Sequence, residues 1–304
     1  GQSTVPTDLV NPVAVAASHH HTCAIDDNGV QCWGRDSNGQ ATVPAGLVNP
    51  VAVAVGELHT CAIDDIGVVC WGDDTYGQST APAGLLNPVA VAAGYIYTCA
   101  LDDNGVQCWG YNSNGQVIVP TGLVNPVAVA AGEYHTCAID DNGVKCWGLD
   151  DHGQSTVPTG LENPTAVSAG YNHTCAIDDI GVVCWGKNLY YGQATVPTDL
   201  VNPVAVAADY NHTCAIDDNG VQCWGDNDYG QSTVPTGLVN PVAVAAGGDY
   251  TCAIDDNGVQ CWRENNFGQT TVPTGLVNPV AVAAGDSHTC ALDDNGIQCW
   301  GEND

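Results

Sequence analysis

The chain has 304 residues, 34 acids against four bases, a formal net charge of −30 and 16 cysteines. Such a polyanion is not expected to bind nucleic acid or an anionic membrane surface, and no apolar run approaches the length of a membrane span. Cysteines at this density are expected in an oxidising compartment, so the protein is read as secreted or cell-surface. With no Met and no signal peptide in the sequence, the chain is read as processed or excised.

The first twelve residues, Gly1 to Pro12, are the tail half of a unit that recurs along the whole chain. Its cleanest copy runs Ala131 to Gly148, Ala-Gly-Glu-Tyr-His-Thr-Cys-Ala-Ile-Asp-Asp-Asn-Gly-Val-Lys-Cys-Trp-Gly. The first cysteine of each copy falls 38 residues after the last, with 39 between the fifth and sixth. A fixed period of this size means a solenoid, an array or a closed propeller. The C-terminal Cys299 to Asp304 is the front half of a unit, so the two halves are read as one blade closed by both termini. The alternative is a piece of a longer array.

Three strands are expected per repeat. The first is Val13–Ala17, whose small residues suit a crowded propeller axis, with Pro12 before it. The second is Thr22–Ile25 and the third Val30–Trp33, joined by the turn residues Asp26-Asp27-Asn28-Gly29. Ser3–Pro6 is either a short fourth strand or an extended return. If Ile25 sits opposite Val30, then Cys23 sits opposite Cys32, within reach of a disulfide. The same register pairs Cys61 with Cys70, Cys99 with Cys108, Cys137 with Cys146 and Cys175 with Cys184. It also pairs Cys214 with Cys223, Cys252 with Cys261 and Cys290 with Cys299. A metal site would want closer cysteine pairs, so no metal is expected there. Cys and Trp alternate on the third strand and so point to opposite faces of the sheet, both of which must be covered.

The pattern Gly-x-x-His-Thr-x-Ala-Ile-x-x-x-Gly-Val-x-x-Trp-Gly-x-x-x-x-Gly-Gln resembles the regulator-of-chromosome-condensation repeat, a β-propeller family. The short period and the Gly-Gln-Ser-Thr-Val-Pro ending (153–158, 230–235) look most like the secreted bacterial branch that includes the propeller-type β-lactamase inhibitor. Taken with the eight repeats and the cysteine register, the resemblance implies a single all-β domain over residues 1–304, expected as an eight-bladed propeller of 38-residue repeats with one disulfide per blade. This chain departs from that inhibitor in having eight units rather than seven, and in its cysteine pair.

The repeats differ from one another in two segments, one before His-Thr and one after Trp-Gly. Strand direction puts both on one face of the disc. They hold Tyr76, Tyr95, Tyr97, Tyr111, Tyr134, Tyr171, Tyr190, Tyr191, Tyr210, Tyr229, Tyr250 and Phe267, which are every Tyr and the only Phe. We read these twelve as a ligand-binding face for a protein or a glycan. The opposite face carries sixteen hairpin Asp, from Asp26 and Asp27 to Asp293 and Asp294. They are read as solvated turns, with Ca²⁺ as the other reading; no other cofactor is expected. The His before Thr, replaced by Tyr97 and Tyr250 in two repeats, is read as structural. The His19-His20-His21 cluster is a weak site for a stray transition metal. Asn172 and Asn211 open glycosylation sequons, relevant only in a eukaryotic host. No nucleophile–base motif or phosphate loop occurs, so no catalytic residue is assigned. Three functions follow: a binding module, a structural subunit assembling through its disc faces, and, from the resemblance, an inhibitor of a secreted enzyme such as a β-lactamase.

Overall fold

Alternation of apolar and small residues, punctuated by Gly and Pro, makes each repeat an antiparallel three-stranded sheet. In the computed structural model, which describes residues 1–303, the first sheet comprises β1 (Ala14–Ala17), β2 (His21–Asp26) and β3 (Gly29–Gly34). The same order recurs eight times, to a last third strand at Gly296–Gly301. The return segment is not a fourth strand: residues 35–51 run as turns and extended chain.

The register places Ile25 opposite Val30, Ala24 opposite Gln31 and Thr22 opposite Trp33. Cys23 lies opposite Cys32, and the two are bonded at a Cα separation of 4.1 Å. All eight repeats carry this bridge. The Cys and Trp faces then divide the core between neighbours. Cys23, Ile25 and Val30 pack against Ala62 and Trp71 of the next repeat. Cys290, Leu292 and Ile297 of the last repeat pack in the same way against Ala24 and Trp33 of the first. The sheets are therefore blades of a closed eight-membered ring. At the junction Gln2 donates to Glu302, Ser3 Oγ donates to the Glu302 carbonyl, and Trp33 Nε1 donates to the Gln2 carbonyl. These bonds clamp the N-terminal segment between blades 8 and 1.

Each return segment caps the blade that follows it. The Gln40 carbonyl accepts both Trp71 Nε1 and Thr60 Oγ1, while Val43 and Leu47 cover Trp71. A belt links the blades one level further in. His21 Nε2 lies 2.8 Å from Thr60 Oγ1 of the next blade, and His288 Nε2 lies 2.7 Å from Thr22, completing the circle. The Thr60 proton is committed to Gln40, so the His21 Nε2 atom is the donor and the ring is the neutral Nε2–H tautomer. Burial holds the six belt imidazoles down at about 3 to 4. Tyr97 and Tyr250 occupy the other two places: each hydroxyl donates to a backbone carbonyl of the next blade and lies 3.0–3.1 Å from its Thr. This corrects their placement on a binding face, since both are wholly buried. The structural reading of the histidines fits this geometry.

The hairpin face also differs from expectation. Asp26 is buried rather than solvated: Oδ2 accepts Val10 N at 2.8 Å and Oδ1 accepts Asn28 N at 2.9 Å. Asn11 takes a left-handed conformation, φ 47°, and donates to Asp27 Oδ2 at 2.6 Å. Asn adopts that region more readily than most residues, and the following Pro disfavours the right-handed alternative. Both bonds recur in every blade, for example Leu86 N to Asp102 and Asn87 to Asp103. The two acids of each hairpin thus fasten the incoming strand, and the carboxylates offered to Ca²⁺ by the sequence are engaged by protein donors. Among the described residues no group of three or more His, Cys, Asp or Glu converges in a way that could hold a metal ion.

Candidate functional site: the upper face and channel mouth

The first strands line the ring axis, and each ends in a residue at the upper mouth of the channel. In six blades that residue is Gly, for a steric reason. A Cβ on Gly94 would lie 2.2 Å from Tyr97 Cε1 and 2.7 Å from the Gly132 carbonyl oxygen. Blades 1 and 6 carry Ser18 and Asp209 instead. There the closing bond to the belt residue lengthens, to 3.1 Å for Ser18 N and 3.3 Å for Asp209 N, against 2.9 Å at Gly94.

The variable side chains that follow converge on a cavity of about 200 Å³. Its lining includes His19, Glu57, Tyr95, Glu133, Tyr171, Asp209, Tyr210 and Asp286. His19 reaches across the mouth. Its Nδ1 lies 2.7 Å from Glu57 and its Nε2 3.6 Å from Asp286, and its ring meets the edges of Tyr95 and Tyr210. Burial alone would push this imidazole down. The Glu57 hydrogen bond and the charges of Asp286, Glu57 and Asp209 outweigh it and raise the group to about 9. Glu57 is correspondingly held low, because the His19 hydrogen bond and charge overcome its own burial. Among the described residues no cation lies in ion-pair range of Glu133 or Asp209 on the opposite side of the mouth. Burial lifts Glu133 to about 7 against the pull of Tyr171, His19 and Tyr134. Burial and the Asp286 charge lift Asp209 to about 7, with His19 opposing.

The twelve aromatic residues fall into three groups. Tyr97 and Tyr250 are core, as described above. Tyr95, Tyr111, Tyr134, Tyr171 and Tyr210 are half-buried at or beside the mouth, while Tyr76, Tyr190, Tyr191, Tyr229 and Phe267 stand exposed on the rim. Six of the ten that remain on this face join through His19 into one arc. Ring centroids are 5.0 Å apart for Tyr76 and Tyr111, 6.0 Å for Tyr111 and Tyr134, and 5.8 Å for Tyr134 and Tyr95. The arc then crosses His19 to Tyr210 and ends at Tyr171, 4.7 Å away. The Tyr111–Tyr134 contact joins the two variable segments and shows that they share a face.

The single inserted residue of the array also falls here, where Tyr190 is 95% exposed with φ 78°. Arg263, in the seventh blade, stands at φ 91° where the other blades have Gly, and its blade-end bond from Glu264 N to Asp249 O opens to 3.4 Å. The three consecutive histidines do not form one site: His21 is in the belt, and His19 pairs across the mouth. Asn172 and Asn211 are engaged by Gln154 and by Gln193 with Lys187. Asp209, Asp286 and the roles of Glu57 and Glu133 do not stand out in the sequence. The signal for Asp209 was present, as the break of Ala-Ala-Gly into Ala207-Ala208-Asp209.

Eight three-stranded blades closed around an axial channel define a β-propeller. The chain belongs to the regulator of chromosome condensation (RCC1) repeat family, whose model matches residues 13–40, 51–78, 89–116, 127–154, 165–193, 204–231 and 280–304. The blade omitted from these matches is the one carrying Tyr250 and Arg263. Among solved structures, the chain is similar to the ectodomain of the Physcomitrella patens receptor kinase CR4, with 25% identity over 83% of this chain and 74% of that one, TM-score 0.63. It is also similar to the CRINKLY WD40 ectodomain of the Arabidopsis thaliana receptor kinase ACR4, with 24% identity over 84% and 98%, TM-score 0.62. Prp20p from Saccharomyces cerevisiae matches at 19% identity over 84% and 83%, TM-score 0.61. No curated protein matches the sequence.

Proposed function

We propose that this propeller is an extracellular, non-catalytic binding module that recognises a protein or a glycan through its upper face. The observation that carries the reading is the continuous aromatic arc from Tyr76 to Tyr171, flanked by exposed Tyr190, Tyr229 and Phe267. Exposed rings on loops held by a disulfide-stapled scaffold lose little entropy on binding. The eight disulfides and the receptor ectodomains of similar fold support an extracellular setting. Prp20p, which shares the fold, has binding properties towards Gsp1p and histones, and this supports a protein partner for a propeller of this kind. The test is binding to a glycan array and to a panel of purified secreted proteins. A Tyr76→Ser/Tyr229→Ser variant should lose the signal. A panel bound equally by the variant, or through the hairpin face, would overturn the reading.

A second reading, a structural subunit stacking through its lower face, is favoured by one observation. Val13, Val51, Val89, Val127, Val204, Val242 and Val280 ring that face and are each about two-thirds or more exposed. Exposed apolar patches of this kind mark contact surfaces. Sedimentation at raised salt, where repulsion between the acidic discs is screened, decides it: a monomer at every salt and protein concentration removes this reading.

A further inference from the structure

We infer that the channel mouth binds an organic cation, an ammonium or guanidinium group no larger than one side chain, seated between Glu133, Asp209 and the rings of Tyr171 and Tyr210. The inference rests on the upper face being a binding face and names the chemistry of its centre.

Three observations carry it. The first is size. The cavity, about 200 Å³, is smaller than the ~300–1,000 Å³ of sites for drug-sized ligands, so it takes one side chain or headgroup rather than an oligosaccharide. The second is the protein's own occupant. His19 sits in one half of the mouth as an organic cation, with Glu57 and Asp286 as counter-ions and Tyr95 and Tyr210 against its ring. That half shows what this combination of carboxylates and aromatic rings holds. The third is the side that holds Glu133, Asp209 and Tyr171, which shares Tyr210 with His19 but, among the described residues, has no cation of its own in ion-pair range. Glu133 Oε2 is sealed from solvent, and the carboxyl has neutral Tyr171 and Tyr134 hydroxyls as partners where Glu57 has the His19 cation. Asp209 displaces the Gly that sterics favour at that position, at the cost of a lengthened belt bond. The Tyr171 and Tyr210 rings lie 30° from parallel and offer π-faces to a cation. The raised carboxyl groups of Glu133 and Asp209 are what such a half-filled cage shows before its cation arrives.

The same chemistry has two sources, a free small amine or a Lys or Arg side chain projecting from a partner, and the test separates them. The intact protein is titrated with ethylammonium chloride and with the peptide acetyl-Gly-Gly-Lys-Gly-Gly-amide. Its Nε-acetylated form is the control, and the ring-proton shifts of Tyr171 and Tyr210 are followed by NMR. Saturable shifts from ethylammonium as strong as those from the peptide identify a free amine. Saturation by the lysine peptide alone identifies a partner side chain. In either case Glu133→Gln/Asp209→Asn, and Asp209→Asn alone, should weaken binding about tenfold or more while near-ultraviolet circular dichroism stays unchanged. Ile66→Ser, in an exposed hairpin turn of the opposite face, should leave amine binding intact. Absence of saturation by both probes up to ~10 mM, or binding indifferent to both carboxyl variants, overturns the inference. If the panel experiment shows a Tyr76- and Tyr229-dependent partner while the amines do not bind, only the cation site falls. If neither binds, the binding face falls with it.

Discussion

The two faces of the disc are built from the same repeat and have diverged in opposite ways. On the lower face almost every polar side chain has a structural duty. Asp102 alone receives Leu86 N, Asn104 N and Gln107 Nε2, and Asp103 receives Asn87. Any drift there breaks several bonds at once, which accounts for eight near-identical copies. On the upper face the structural duties fall on the backbone, on the Gly-Gln pair and on one Asp or Asn of the loop, as where Asp74 receives Ser79 N and Thr80 Oγ1. The Gln78 side chain accepts Tyr76 N and its carbonyl accepts Trp109 Nε1. Other loop side chains, such as the exposed Tyr76 and Tyr229, are released from that duty, and these positions vary most. Substitution should therefore act as a stability experiment below and a binding experiment above.

The largest effect should come from what the faces share. Each disulfide joins two strands at mid-blade and closes a loop of about ten residues, worth ~2.7 kcal/mol in the chain-entropy model. Full reduction should unfold the ring, with hydrogen exchange rising on both faces together. A reduced protein that keeps its upper loops protected while the hairpins open would show that the faces fold independently. On the lower face, Asp102→Ala strands four donors, Leu86 N, Asn104 N, Asn104 Nδ2 and Gln107 Nε2, and should cost about 2–4 kcal/mol in urea denaturation.

Much of this division was legible in the sequence. The register followed from one alternation argument, because Cys99 can oppose Cys108 only if Leu101 opposes Val106. The clustering of Tyr in two segments, combined with strand direction, located the variable face. What could not be read were side-chain destinations that depend on closure. Tyr97 looks like its neighbour Tyr95 in sequence, yet one fills the belt and the other the mouth, a division set by how the blades converge on the axis. His19 meets Tyr210 across five blades' worth of chain, a contact that exists only in a ring. The hairpin acids looked like generic turn formers, since their partners lie sixteen residues upstream in the return segment.

The titratable groups of belt and mouth pull stability in opposite directions with pH, an effect of intermediate size. The six belt imidazoles have folded values of about 3 to 4 against 6.5 unfolded. As pH falls from about 6.5 to about 4 only the unfolded chain takes up these protons, so stability is lost. Glu133 and Asp209, at about 7 when folded against 4.5 and 3.8, behave in reverse, and their penalty grows as pH rises from about 4 to about 7. Glu133→Gln/Asp209→Asn should therefore raise the melting temperature at pH 7.5, change it little at pH 4, and leave a steeper acid loss between. A variant melting curve parallel to the parent across that range would show that the mouth carboxyls are not held protonated by burial.

The smallest effect should be on the rim, and it tests the comparison most directly. The Tyr229 side chain is 57% exposed, and its backbone N–H is held by Gln231 Oε1 whatever the side chain. Tyr229→Ser should then shift stability by no more than about 0.5 kcal/mol. The same exchange at Tyr250 deletes a buried ring and its hydroxyl bond to the His288 carbonyl, and should cost about 3–5 kcal/mol. Both positions are Tyr in the variable segments of neighbouring repeats, so a contrast in cost of about sixfold or more between them isolates location in the ring as the cause. A cost above about 1 kcal/mol at Tyr229 would mean that the upper loops carry structural load. Their variation would then need another explanation than release from folding.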